Sequence, residues 1–546
     1  MQNDVAQTGN DAAAGTDAPI QATVTLHPDF QVGPIDRRLF GSFVEHLGRA
    51  VYTGIYEPGH PTSDDFGFRG DVAGLTHELG VSMIRYPGGN FVSNYVWEDG
   101  VGPREDRKPF IDLAWRTIEP NEVGTDEFLQ WAEREGIEPM MAVNLGTRGV
   151  AAAAALVEYC NGEAGSRWAD MRIANGREKP YDVKLWCLGN EMDGPWQIGH
   201  KDAHEYGKLA AEAGKAMKLV DPRIELVACG SSSMYMDTFG EWERTVLSYT
   251  YDIVDHISMH AYYEEKDGDR ASFLGSATAM DRFIERVVAS ADSIGAQKRS
   301  DKKITISFDE WNVWYLETRF VGEKNLPLQK DAPRIIEDVY SALDAVVVGD
   351  LLVTLLNHAD RVPVAALAQL VNVIAPIMTE PGGDAWRQTT FHPFANTARL
   401  AQGSVLDLRV DAPRVTTKAH GDVPLVTAAA TWDEGGAASA DGTVGADGAA
   451  GADGTVGSGR VAVFLVNRSS APAEVTIRHA GVELSLDGGV ELLADHVGMR
   501  EGKEAAEQVG TVDREAPATT TDGSVTLTLA PESWSAWHGT ATRALA

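Results

Sequence analysis

Leu185-Trp186-Cys187-Leu188-Gly189-Asn190-Glu191 and Ile306-Ser307-Phe308-Asp309-Glu310-Trp311-Asn312 are two apolar runs, each ending in a glutamate set among polar and aromatic residues. A strand that leads out of a hydrophobic interior and ends in Glu delivers a carboxyl group to the rim of a core. Two such strands deliver a pair, and a facing pair of carboxyls is what cleavage of a glycosidic bond requires.

Around these runs, strand-like apolar segments alternate with amphipathic stretches. Candidate strands lie at 39–44, 82–86, 138–144, 183–188, 224–229, 256–260, 304–308 and 351–356. Between them, segments such as 203–220 repeat apolar positions at three- and four-residue steps, the helical period. Eight strands with intervening helices predict a parallel (β/α)₈ TIM barrel rather than an open sheet. The residues that could do chemistry fall just after the runs: Glu45 after the first, Asn90 the second, Glu191 the fourth, Tyr262 the sixth and Glu310 the seventh. In such a barrel the C-terminal strand ends form the active-site face.

Beyond about Trp386 the texture changes. Segments 460–466 and 524–529 read as half-buried antiparallel strands, and 23–26 reads the same way. The expected organisation is a tail at 1–20, a strand within 21–36 lent to a β-sandwich, a barrel at 37–384 and a C-terminal, jelly-roll-like all-β sandwich at 385–546. Segment 435–459, with near-repeats Ala-Asp-Gly-Thr-Val-Gly and Gly-Ala-Asp-Gly, is too Gly-rich and apolar-poor to offset its ordering entropy, so a surface loop is expected there. Its spacing is too short and irregular for a stacked calcium-binding repeat.

Composition narrows the partners. The 546 residues carry 47 basic and 80 acidic side chains, a formal charge of −33. That field opposes nucleic acid, which needs a basic footprint, and leaves a neutral substrate such as a sugar. No apolar run reaches the roughly 18–20 residues of a spanning helix, so no membrane partner is expected. The N-terminal stretch lacks a basic region followed by an apolar one. The three cysteines, Cys160, Cys187 and Cys229, are odd in number and sparse. Buried thiols and a cytoplasmic location are the expectation.

A retaining glycosidase needs one carboxylate to attack the anomeric carbon and a second, protonated carboxyl about 5–5.5 Å away to protonate the leaving oxygen. The two must differ in protonation, hence in environment. Gly189 lets the backbone turn closely before Glu191, and Asn190 can bond a substrate hydroxyl. His260, at the end of the sixth run, reads as an orienter of neighbouring side chains. Trp97, Trp311 and Trp314 could offer apolar faces to sugar rings.

The placement of Asn190-Glu191 and Glu310 resembles the large clan of barrel glycosidases with an Asn-Glu acid/base after strand four and a nucleophilic Glu after strand seven. That resemblance implies Glu191 as acid/base and Glu310 as nucleophile. Three further stretches narrow it: Leu39-Phe40-Gly41-Ser42-Phe43-Val44-Glu45-His46-Leu47-Gly48-Arg49, Arg85-Tyr86-Pro87-Gly88-Gly89-Asn90-Phe91 and Leu367-Ala368-Gln369-Leu370-Val371-Asn372-Val373-Ile374-Ala375-Pro376. With these, the chain from about Thr23 onward resembles glycoside hydrolase family 51, the intracellular α-L-arabinofuranosidases. The resemblance implies a barrel plus a β-sandwich that takes in the N-terminal strand, no metal or other cofactor, and a homo-oligomer, typically a hexamer. It places the sugar pocket on Glu45, Asn90, Asn190, Tyr262 and Gln369, and a leaving-group contact on Trp314. The Glu pair alone also fits a β-xylosidase or endoglucanase, and a non-catalytic sugar-binding protein could share the scaffold. The stretches around Glu45 and Asn90 argue against the first rivals, and the intact carboxylate pair argues against the last.

Overall fold

In the computed structural model of the chain, which describes residues 18–316, 327–434, 458–493, 510–520 and 523–543, eight parallel strands close into a barrel. They are β1 (Gly41–Phe43), β2 (Met83–Tyr86), β3 (Glu138–Ala142), β4 (Leu185–Leu188), β5 (Glu225–Ala228), β6 (His256–Tyr263), β7 (Thr305–Val313) and β8 (Val364–Leu367). Gly41 pairs with Met83 on one side and Ala366 on the other, which closes the ring. Strands such as Leu185–Leu188 are buried throughout, as a barrel wall covered by helices must be. At the floor, Arg38 bonds Glu138 at the start of β3 and Glu225 at the start of β5.

One expected strand is corrected. Residues 351–356 lie within a helix, Ala342–Asn357, and the eighth strand is Val364–Leu367. Every residue of that helix up to Leu356 is buried. It packs on the barrel side and on the strands of the sandwich, so it has no solvent face to give its sequence a helical period. β6 and β7 also run past their expected ends at 260 and 308, which places Tyr262 and Glu310 inside strands.

The all-β part has two sheets. One orders Arg409–Asp411, Ile20–Leu26, Ala473–His479 and Val525–Leu529; the other has seven strands, from Gln31–Pro34 through Ser404–Leu406, Val426–Asp433, Ser458–Asn467, Ser533–Arg543 and Val482–Leu493 to Val512–Glu515. The N-terminal segment thus supplies two strands, one to each sheet. Ile20–Leu26 runs parallel to Ala473–His479, and Gln31–Pro34 pairs with Ser404–Leu406. The strand around 460–466 is not half-buried: Val461, Val463 and Leu465 pack into the inter-sheet core, while Ala462, Phe464 and Val466 join the barrel core. Gly349 sits at that second contact, where a β-carbon would lie 2.2 Å from Trp534 Cδ1. Asp350, beside it, bonds Arg468 at 2.7 Å and Thr427 at 2.6 Å. The three cysteines are buried and unpaired. Of the surface loop expected at 435–459, residues 435–457 lie outside the described residues, and the last two, Ser458 and Gly459, belong instead to the strand Ser458–Asn467. Among the described residues no helix is long and apolar enough to cross a membrane.

Candidate active site

The strand ends bring Glu191, Glu310, Asn190, Tyr262 and His260 together at the mouth of the barrel. Glu191 follows β4 with φ +43°, two residues after Gly189 at φ +90°. A non-glycine residue in the left-handed region is uncommon, and such strain gathers where a side chain must be aimed. Gly89, after β2, approaches so closely that a β-carbon there would lie 2.9 Å from Glu310 Oε1 and 3.4 Å from Asn190 Nδ2. Only glycine fits.

β7 contributes two adjacent inward carboxylates. Regular alternation would turn one of Asp309 and Glu310 to the outside. The pairing register shifts between Phe308 and Trp311 on the β8 side, and between Ser258 and His260 opposite β7 on β6. These irregularities re-aim the side chains. Arg85, fully buried in β2, then ties the site together: Nη1 donates to Glu310 Oε1 at 2.8 Å, Nη2 donates to Asn190 Oδ1 at 2.6 Å, and Nε lies 3.6 Å from Asp309 Oδ2. The Tyr262 hydroxyl donates to the other Glu310 oxygen at 2.6 Å. His260 reaches Glu191 Oε1 at 2.8 Å with Nδ1 and Asp309 Oδ1 at 3.2 Å with Nε2. Both ring nitrogens meet carboxylates, so both donate.

The charge states follow from these contacts. Burial opposes a charged His260, but the Glu310, Asp309 and Glu191 carboxylates outweigh it and hold the imidazole well above its ordinary value. Burial alone would raise Asp309; Arg85 and His260 outweigh it and keep the carboxyl below the usual range. For Glu310, burial dominates and raises the carboxyl, opposed by His260, Arg85 and the Tyr262 hydroxyl. Burial and the neighbouring Glu310 charge push Tyr262 up, so it keeps its proton and donates.

A second group lies around Glu45. Its Oε1 accepts from the Phe91 amide at 2.8 Å and the Trp115 indole at 3.0 Å, and Gln369 Nε2 lies 3.3 Å from Oε2. The Gln369 carbonyl accepts from the Glu45 amide, so Gln369 secures Glu45 and does not cap a helix. Burial pushes the Glu45 carboxyl up to about 8. Burial thus favours the protonated carboxyl, against the pull of the Phe91 and Trp115 donors towards the carboxylate. Asn90 heads a single 3₁₀ turn, Asn90–Ser93, is half-buried, and makes no side-chain hydrogen bond to another described residue. Trp314 is half-buried and meets the Tyr262 ring edge-on at 4.9 Å between centroids. Trp97 and Trp311 are core residues with no face to offer a sugar.

Oxygen and nitrogen atoms of Glu191, His260 and Glu310 lie within 4.8 Å of one another, close enough in principle to share a cation. The neighbouring Arg85 and a charged His260 already neutralise these carboxylates, so the donor set suits internal ion pairs better than a metal. What the arrangement can do is acetal chemistry. One carboxylate is held at both oxygens, and another is reachable at the rim.

Several of these residues carry no obvious sequence signal. For Arg85 the one signal is its setting: an arginine within the apolar run Met83-Ile84-Arg85-Tyr86 must find buried anions and so advertises them. Trp115 and Trp196 sit on loops, and nothing local marks them. Trp196 Nε1 donates to Glu191 Oε2 at 2.6 Å. Asp193 is buried with Oδ2 bonded to Ser232 and Oδ1 unpartnered.

Comparison with known proteins identifies relatives of the chain. The family model for the α-L-arabinofuranosidase C-terminal domain matches residues 309–533, and that for the α-L-arabinofuranosidase 1 domain matches residues 75–282. An intracellular exo-α-(1→5)-L-arabinofuranosidase of Streptomyces lividans is 52% identical over 94% of this chain and 74% of its own. An exo-α-(1→6)-L-arabinofuranosidase of Bifidobacterium longum is 49% identical over 95% of this chain and 97% of its own. The solved structure of a family 51 α-L-arabinofuranosidase from Bifidobacterium longum superposes with a TM-score of 0.86 at 46% identity, covering 95% of this chain and 99% of that one. A barrel with this carboxylate constellation and an attached sandwich defines a glycoside-cleaving scaffold. The chain belongs to the α-L-arabinofuranosidases of glycoside hydrolase family 51.

Proposed function

We propose that the chain is an exo-acting α-L-arabinofuranosidase that removes terminal, non-reducing arabinofuranosyl units by double displacement with retention. The observation that carries the mechanism is the spacing of the pair. Carboxylate oxygens of Glu191 and Glu310 lie within 4.8 Å, which suits direct attack; an inverting enzyme leaves about 6.5–9.5 Å for a water. Glu310, gripped by Arg85 and Tyr262, attacks the anomeric carbon as the bond to the leaving sugar oxygen breaks. Glu191 gives that oxygen its proton. Water then loses a proton to Glu191, adds to the same carbon, and Glu310 departs.

Furanose recognition falls to the Glu45 group. Glu45 as a buried acid can donate to one sugar hydroxyl, with Gln369 and Asn90 beside it. Asn190, held by Arg85, can tighten on the 2-hydroxyl as charge builds at the anomeric carbon. Trp314 can line the leaving-group side. The substrates proposed are neutral arabino-oligosaccharides and arabinoxylan fragments, in keeping with relatives named for (1→5) and (1→6) linkages. A homo-oligomer, a hexamer by family resemblance, and action in the cytoplasm complete the reading; several relatives are named as intracellular.

The test is hydrolysis of 4-nitrophenyl α-L-arabinofuranoside beside the β-D-xylopyranoside, with early-time NMR of the released sugar. The furanoside alone should turn over, with retention. Glu310→Ala should lose activity and regain part of it with azide, giving the opposite anomer. Early release of the inverted sugar would overturn the mechanism, and preference for the pyranoside would overturn the pocket.

A further inference from the structure

Both oxygens of Glu191 are occupied before any sugar arrives. Oε1 accepts from His260 at 2.8 Å and Oε2 from the Trp196 indole at 2.6 Å. Each oxygen keeps a second acceptor position, so a leaving-group sugar that approaches Glu191 must share an oxygen with one of these donors or displace it. His260 cannot yield: it is 2% exposed and fixed on its far side by Asp309. Trp196 can, because its side chain reaches Glu191 from the open mouth and the residue is 51% exposed.

Its seat is specific. The loop after β4 turns tightly, with the Gly194 amide donating to the Glu191 carbonyl and the Gln197 amide to the Gly194 carbonyl. The indole folds back onto Gly194, where a β-carbon would lie 2.5 Å from Trp196 Cε2 and 2.9 Å from Nε1. Gly194 has no positive φ that would itself demand glycine. The indole is what excludes a side chain there.

We propose that Trp196 is a positioning residue, a displaceable clasp whose indole N–H holds the outer oxygen of Glu191 in the free protein and yields it to the leaving-group sugar. An N–H donor favours the carboxylate over the carboxylic acid. The clasp therefore suits the second step, in which Glu191 takes a proton from water. Displacement of the indole by a sugar removes that bias as the acid is needed. The clasp thus couples occupancy of the leaving-group side to proton donation. It rests on the reading of Glu191 as acid/base.

The experiment compares Trp196→Phe, which keeps a ring but loses the N–H, with Gly194→Ala, which unseats the indole and leaves Trp196 and Glu191 in place. kcat/KM is measured against pH on α-(1→5)-arabinobiose, whose leaving group needs a proton, and on 2,4-dinitrophenyl α-L-arabinofuranoside, whose leaving group does not. kcat/KM reports the free enzyme. In both variants the basic limb on the arabinobiose should move to higher pH by about half a unit or more, while that on the dinitrophenyl glycoside stays put. Basic limbs that coincide with the wild type in both variants, with or without a raised KM, would overturn the clasp and leave Trp196 as sugar contact only. Glu191→Gln separates the two readings: it should lose the arabinobiose and keep most of the dinitrophenyl kcat/KM. Equal retention on both would remove the acid/base assignment and the clasp together.

Discussion

Asp309 and Glu310 follow one another in β7, and both carboxylates point into the barrel mouth. Asp309 lies against Arg85 and His260, Glu310 against Arg85 and Tyr262. The irregular register of β7 with its neighbours makes this possible, and one arginine then serves two buried anions. The site is therefore a closed charge network in which each member restrains the others.

Removing Arg85 should be costly. Arg85→Ala leaves Asp309 and Glu310 without their shared cation, and breaking a buried ion pair typically costs about 3–5 kcal/mol. Urea unfolding should register that loss. Arg85→Lys keeps the charge but loses the two-pronged grip on Glu310 and Asn190, so it should fold and lose kcat by about 10²-fold. An unchanged unfolding midpoint in Arg85→Ala would contradict this account.

Tyr262→Phe tests the acid side of the pH profile. Glu310 must be ionised to attack, burial raises its proton affinity, and the Tyr262 hydroxyl opposes that rise. Without the hydroxyl the carboxylate takes up its proton at higher pH. The acid limb of kcat/KM should move upward, and activity should fall sooner as the pH is lowered. At the optimum a loss of about 10–10²-fold is expected.

Glu45 makes stability depend on pH. Its proton is kept up to about pH 8 in the folded chain, against an ordinary value of 4.5. The folded state has its full margin below the unfolded value and loses it as the pH rises towards 8. Glu45→Gln lacks this dependence. Relative to the wild type it should gain on the order of 3 kcal/mol between pH 5 and pH 8 in urea unfolding. Parallel stability curves for the two proteins would rule the idea out.

Gly349→Ala sets two effects against each other. A helix gains about 1 kcal/mol when Gly becomes Ala, but the new methyl meets the wholly buried Trp534 ring at 2.2 Å. Overpacking of a tight core costs about 1–3 kcal/mol, so the clash should win. A lowered melting temperature with an unmoved pH profile is expected.

Seven of the eight barrel strands were legible in the sequence, because a wall buried on both faces reads as a short apolar run. The eighth was not. The helix Ala342–Asn357 is as buried as a strand, and its Leu351–Leu356 portion mimics one. The same cause hid the double burial of the strand at 460–466. The carboxylates could be read because Glu at the end of an apolar run is conspicuous. Asp309 as a second inward carboxylate could not, since it depends on a register irregularity that no local pattern records. Trp115 and Trp196 come from loops whose paths are set by tertiary contacts.

The two strands at Ile20–Leu26 and Gln31–Pro34 carry a consequence for assembly. During synthesis Ile20–Leu26 emerges before the barrel, but its partner Ala473–His479 follows only after the last barrel strand has been made. Such distant pairing is slow to close. Until then at least one hydrogen-bonding edge of this strand is open, since its other partner is Arg409–Asp411, and open edges are where strands recruit foreign chains. A strand made before the barrel thus finds its place only after it, so yield of the folded protein should hinge on how long that strand stays unpaired.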